Sequence, residues 1–151
     1  MWANLKKKLI TILQANTLFQ EVYDYEVPEF GGDPVAVLIP SSNESDYKTT
    51  SENERVYAFQ LQLWVKSGEP KATKQTEDTM TDLVDSVLHD FDKYFTLQQG
   101  SPGTLTVKTG YTMKKVQATP STWLWANRGD TFYRVAFISL QVEMRVDIFN
   151  A

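Results

Sequence analysis

Phe132–Ile148 reads FYRVAFISLQVEMRVDI, the longest stretch of strict alternation in the chain. Ala136, Ile138, Leu140, Val142, Met144, Val146 and Ile148 fall on one side, and Phe137, Ser139, Gln141, Glu143, Arg145 and Asp147 on the other. Side chains of a strand alternate between the faces of its sheet, so this pattern predicts a long strand with one face on a core and the other toward solvent or a partner. Working backward, Arg55–Lys66 repeats the pattern. Tyr57, Phe59, Leu61, Leu63 and Val65 share one face, Gln60, Gln62 and Lys66 the other, and Trp64 falls on the polar side.

Between these two strands the period changes. Met80, Leu83, Val84, Val87, Leu88, Phe91 and Phe95 recur at three-and-four spacing and predict an amphipathic helix. Glu77, Asp78 and Asp82 lie toward its start, where the helix dipole favours negative charge. Gln99-Gly100-Ser101-Pro102-Gly103 is its expected stop. A second helix is predicted at the start of the chain, where Trp2, Leu5, Leu9, Ile12 and Leu13 form the buried stripe and Lys6, Lys7 and Lys8 fall mostly on the other, solvated side.

The weaker elements follow from punctuation. Glu21–Val27 alternates and is expected to be a strand ended by Pro28. Val35–Ile39 is expected to be a short apolar strand stopped by Pro40, and Ser41–Asn53, without periodicity, a long mobile loop. Leu105–Val107 and Met113–Ala118 are expected as short strands, with Trp123–Trp125 beginning another or lining a corner. Asn127-Arg128-Gly129-Asp130 is a turn. No internal repeat or linker interrupts this order. Residues 1–151 are therefore expected to form a single α+β domain, an antiparallel or mixed sheet with two main helices packed on one face.

Composition narrows the function. Apolar residues make up 42% of the chain and charged residues 23%, ordinary globular usage that argues against wholesale disorder. A net charge of −4 argues against nucleic acid as the main partner, because phosphate binding needs a basic face. The chain has no cysteine, which removes disulfides, zinc–thiolate sites and thiol nucleophiles together. No apolar run approaches the ~18–20 residues of a membrane span. Leu9–Leu13 is too short, and too polar at Thr11, for a signal-peptide core, so the expectation is a cytoplasmic protein that keeps its N-terminus.

Candidate chemistry is sparse. His89 is the only histidine, and Ser86, His89 and Asp85 along one exposed helical face cannot converge as a nucleophile, base and orienting group must. Asp78 and Asp82 lack the ordered loop of a hard-cation site. Gly31-Gly32 precedes a strand rather than a helix N-terminus, so it is no phosphate cradle. Arg128-Gly129-Asp130 matches an adhesion tripeptide that a turn explains equally well, and Asn43-Glu44-Ser45 matches a glycosylation acceptor that requires secretion. The expected function is therefore assembly, with no enzymatic role, cofactor or metal. The aromatic excess supports a binding surface, because aromatics and arginine are enriched at the centres of interfaces. The candidate interface residues are Trp64, Trp123, Trp125, Arg128, Asp130, Glu143 and Arg145. A small-molecule binding domain, or a hydrolase using His89, is the alternative of a different class.

In element order and size the chain resembles the tail-terminator, or tail-completion, proteins of long-tailed phages. The likeness rests on WANLKKKLITIL (Trp2–Leu13), FGGDPVAVLIP (Phe30–Pro40), ERVYAFQLQLWVK (Glu54–Lys66), DTMTDLVDSVLHDFDKYF (Asp78–Phe95) and the closing strand. The resemblance implies a ring of identical subunits, usually a hexamer, that caps the tail tube and stops its polymerisation. It further implies contacts with the major tail tube protein and the head–tail connector, DNA only passing through the lumen, and location in the virion tail after assembly in the host cytoplasm. Neck, or head–tail joining, proteins share this size and tone and remain an alternative. No site residue is carried over from the family.

Overall fold

The structure, a computed structural model, describes residues 1–98 and 100–149. Its elements run α1 (Trp2–Ala15), β1 (Glu21–Tyr23), β2 (Val35–Tyr47), β3 (Glu52–Lys66), α2 (Lys74–Lys93), β4 (Tyr111–Arg128) and β5 (Thr131–Asp147). The five strands make one sheet in the order β1-β2-β3-β5-β4. β1 lies parallel to β2, and every other neighbour is antiparallel, so the sheet is mixed. This is the expected α+β class.

Both helices pack on one face. Leu5, Leu9, Ile12 and Leu13 of α1 and Met80, Leu83, Val84, Val87 and Phe91 of α2 are buried against Leu38, Phe59, Leu61, Leu63, Ile138 and Leu140 of the sheet. Each such aliphatic side chain removed from water contributes about 1.5–3 kcal/mol, so this one contact layer dominates the fold. Trp2 seals its margin, edge-on to Tyr57 and Phe59 with centroids 5.0 Å from each. Capping begins α2: the Thr73 hydroxyl accepts from the Thr76 amide at 3.2 Å.

Several expected boundaries are corrected. Pro40 does not stop β2, which continues to Tyr47, and Ser41–Asn53 is no loop but the arms of a long hairpin with β3. A bulge between Pro40 and Ser42 absorbs the proline, and β2 is open to one side there, so its missing N–H leaves no ladder partner short. The hairpin turns tightly at residues 48–51, where the Lys48 amide donates to the Glu52 carbonyl at 3.1 Å. Met113–Ala118 and Trp123–Trp125 are likewise one strand, β4, with a bulge between Pro120 and Trp123. In contrast, Leu105–Val107 is not a strand, and β1 ends at Tyr23 rather than Val27.

The end of α2 also differs. The helix stops at Lys93, and Phe95 leaves the apolar stripe to stand 55% exposed. Leu97 then turns the chain at φ +55° with its side chain fully buried, so packing holds a bulky residue in the left-handed region. Of the expected stop, Gln99 lies outside the described residues.

Lys8 is the other correction. It does not share the solvated side of α1 but is 1% exposed, its ammonium donating to the carbonyls of Pro102 at 2.5 Å and Gly103 at 3.0 Å. Burial pushes its pKa below the ordinary lysine value. The lysine thus ties the segment after α2 onto α1.

Candidate functional site

The seven candidate interface residues fall into three groups, set by which face and which end of the sheet their register gives them. At the end of the β4–β5 hairpin, on the face away from the helices, the chain between β1 and β2 folds over the sheet and lays Phe30 against Trp64 and Tyr133. Ring centroids are 5.2 Å and 5.7 Å away, and both contacts are edge-on. The guanidinium of Arg128 lies over Phe30 at 4.1 Å and Trp64 at 5.5 Å. It also donates to the Val27 carbonyl. Trp64 and Arg128 therefore meet, and they clamp the crossover segment inside the subunit. Beside them a groove of about 460 Å³ runs between Val27, Phe30, Trp64 and Phe137. The Trp64 indole donates to Gln62 at 3.2 Å and Gln62 to Gln60 at 2.9 Å, a one-way chain of hydrogen bonds along β3.

On the helix-side face of the same end, Trp123 and Trp125 flank Arg134, whose guanidinium is 5.4 Å and 5.0 Å from their rings. Phe132 stacks on Trp125 at 5.4 Å. Arg134 Nε lies 2.7 Å from Glu77 Oε2, and Nη2 donates to Oε1 at 3.1 Å, so α2 is anchored to β5 by a half-buried ion pair. Arg134 was not among the candidate residues. Its signal was available: it stands in phase with Ala136 and Ile138, and an arginine on the core side of a strand requires an acidic partner from the element packed there.

Glu143 belongs to a third group, at the β2–β3 hairpin end. Lys114 Nζ is 2.5 Å from Glu54 and 3.3 Å from Glu143, Lys115 is 3.7 Å from Glu143, and Lys48 is 3.4 Å from Glu54. A hydrogen bond with Glu143, and next the Lys114 ammonium, hold the Glu54 pKa down to about 2. Arg145 is exposed in register with Glu54 and joins no ion pair among the described residues. Asp130 is exposed in the turn, next to Gly129.

The catalytic alternative gains no geometry. His89 is exposed and takes no hydrogen bond among the described residues, and Ser86 instead accepts from Asn16 at 3.0 Å. No group of three histidine, cysteine or acidic side chains among the described residues is placed to hold a metal. No helix among them is long and apolar enough to cross a membrane.

The least satisfied feature is the sheet's own margin. β1 covers β2 only at Val35–Val37, and the run Ser41–Tyr47 beyond it is exposed, with no strand on its outer side among the described residues. On the opposite margin the first part of β4 donates backbone bonds outside the sheet, from the Val116 amide to the Phe95 carbonyl at 2.7 Å and from the Tyr111 amide to the Lys108 carbonyl at 3.0 Å. Its later run, Ser121–Arg128, has no backbone partner beyond β5 among the described residues.

No protein-family model matches the chain, and no curated protein matches it in sequence. A solved chain described as "Virion of native gene transfer agent (GTA) particle" is similar in structure, with a TM-score of 0.49 and 15% identity over 92% of this chain and 94% of that one.

Proposed function

We propose that the protein is a structural subunit of a phage-like particle that works by self-assembly rather than catalysis, and specifically a tail terminator. Copies close into a ring, a hexamer if the family pattern holds, which caps the tail tube and meets the head–tail connector, with DNA passing only through the lumen. The observation that carries the proposal is the sheet left open on both margins. Unpaired strand edges are a template for pairing with another chain. Two different open margins on one subunit fit head-to-tail contacts, which generate rings when the rotation closes. The elements behind the tail-terminator resemblance, a helix, strands, a second helix and a long closing strand, follow one another in that order in the fold.

Light scattering after size exclusion over a concentration series, with negative-stain images of the largest species, tests the ring. Closed rings are the expected result; a monomer at every concentration, alone and with tail tubes, overturns it. Electron microscopy of a deletion phage tests the terminator role. Overlong tails are expected, whereas unattached tails of normal length assign the protein to head–tail joining instead.

A further inference from the structure

We infer that the two open margins are each other's partners: Ser41–Tyr47 of β2 in one copy adds, antiparallel, to Ser121–Arg128 of β4 in the next. The inference deepens the ring proposal by naming its interface, and it depends on that proposal for closure but not for the pairing itself.

Direction comes first. β2 is antiparallel to β3, β3 to β5 and β5 to β4, so β2 and β4 run in opposite senses. A second copy set beside the first without being inverted therefore presents its β2 to β4 as a continuation of the antiparallel sheet. That contact is heterologous, the type that propagates to a ring.

Position comes second. The β2 run lies toward the tight hairpin at residues 48–51, opposite residues 53–58 of β3, while the β4 run lies toward Gly129, opposite residues 131–136 of β5. The two runs are diagonal across the sheet, so successive copies are staggered along their strands. Strands inclined to the axis are what closure of a sheet into a barrel demands.

Edge chemistry selects the pairing. The first part of β4 is blunted by Lys114, Lys115, a bulge and the Phe95 carbonyl, the devices that keep an edge from pairing. Ser121–Asn127, STWLWAN, has no charge; its bulge is confined to its start, between Pro120 and Trp123, and Trp123–Asn127 pairs regularly with β5. The β2 run carries Glu44 and Asp46 and no cation, and the β4 run carries no acid and ends in Arg128. Pairing two β2 runs sets acid against acid, which is disfavoured across strands, whereas β2 against β4 does not.

The chain has no cysteine, so single introduced cysteines report cleanly. Ser42→Cys and Asn127→Cys, both at exposed positions, are mixed and treated with a short bis-maleimide, with Tyr47→Cys and Thr122→Cys, exposed positions that the same antiparallel register brings together at the other end of the runs, as a second pair. A product joining the two different variants, absent when either is treated alone, is expected. Glu44→Lys with Asp46→Lys should weaken or abolish association, because lysines on an edge strand oppose its pairing. Product from Asn127→Cys alone shows a symmetric β4–β4 contact and overturns the inference, as does no mixed product from either pair at the highest soluble concentration. Closed rings seen without mixed product sink this pairing and leave the ring proposal standing; mixed product on open filaments keeps the pairing and removes closure.

Discussion

Glu54 and Lys8 show how single side chains in this protein are set by what packs around them rather than by their place in the sequence. Lys8 lies among lysines yet is buried, because Pro102 and Gly103 present carbonyls that replace its water. Glu54 lies on a strand near the hairpin tip yet is enclosed by Lys114, Lys48 and Glu143. Its folded pKa of about 2 is below the ordinary 4.5, so the folded state holds the ionised form more strongly than the unfolded chain does. The stability this contributes is fully present above pH 4.5 and is lost as pH falls from there toward 2. Glu54→Gln should flatten that part of the acid limb while leaving neutral-pH folding cooperative, as followed by urea midpoints between those pH values. An unchanged acid limb in the variant would place the acid sensitivity elsewhere.

At the scale of elements, turns and edges carry the detail. Gly129 opens the two-residue turn between β4 and β5 at φ +61°, where a type II′ hairpin asks for glycine. Nothing lies within 4 Å of a β-carbon built there, so Gly129→Ala pays only the backbone term. That term is roughly 1–3 kcal/mol for an L-residue held in a sparsely populated backbone region. Gly103, at φ +75°, faces Thr11 Cγ2 at 2.8 Å from the same position, so Gly103→Ala adds a clash with α1 and should cost more. Urea midpoints for both variants, with unchanged slope, check the order. The same reasoning explains what was legible beforehand. Helices α1 and α2 and strands β3 and β5 have a buried face, and burial writes a period into the sequence. Ser41–Tyr47 is exposed on every side, so nothing selects alternation, and a strand held only by backbone bonds resembles a loop in sequence. Pro40 looked like a terminator because edges and bulges, which tolerate proline, are properties of the sheet and not of the local residues. Among the candidate site residues, aromatic and arginine types were recognisable. Their division into three groups was not, because pairings such as Glu77 with Arg134 join elements 57 residues apart.

For the whole molecule, the decisive asymmetry is between a finished core and an unfinished sheet. The helices cover one face, the crossover segment covers one end of the other, and both lateral margins stay open. If copies complete each other's margins, association draws the folded state out of the unfolding equilibrium, and apparent Tm must rise with protein concentration. Leu124 lies in the open run of β4 and is 36% exposed, so Leu124→Lys removes little core packing while placing a charge on the edge. The variant should match the parent's Tm in dilute solution and lose the rise at high concentration. Scanning calorimetry across a hundredfold dilution series separates the two readings. If parent Tm is flat while Leu124→Lys is destabilised even when dilute, Leu124 serves only its own subunit. A rise in the parent that the lysine abolishes means that the sheet is completed by the next copy.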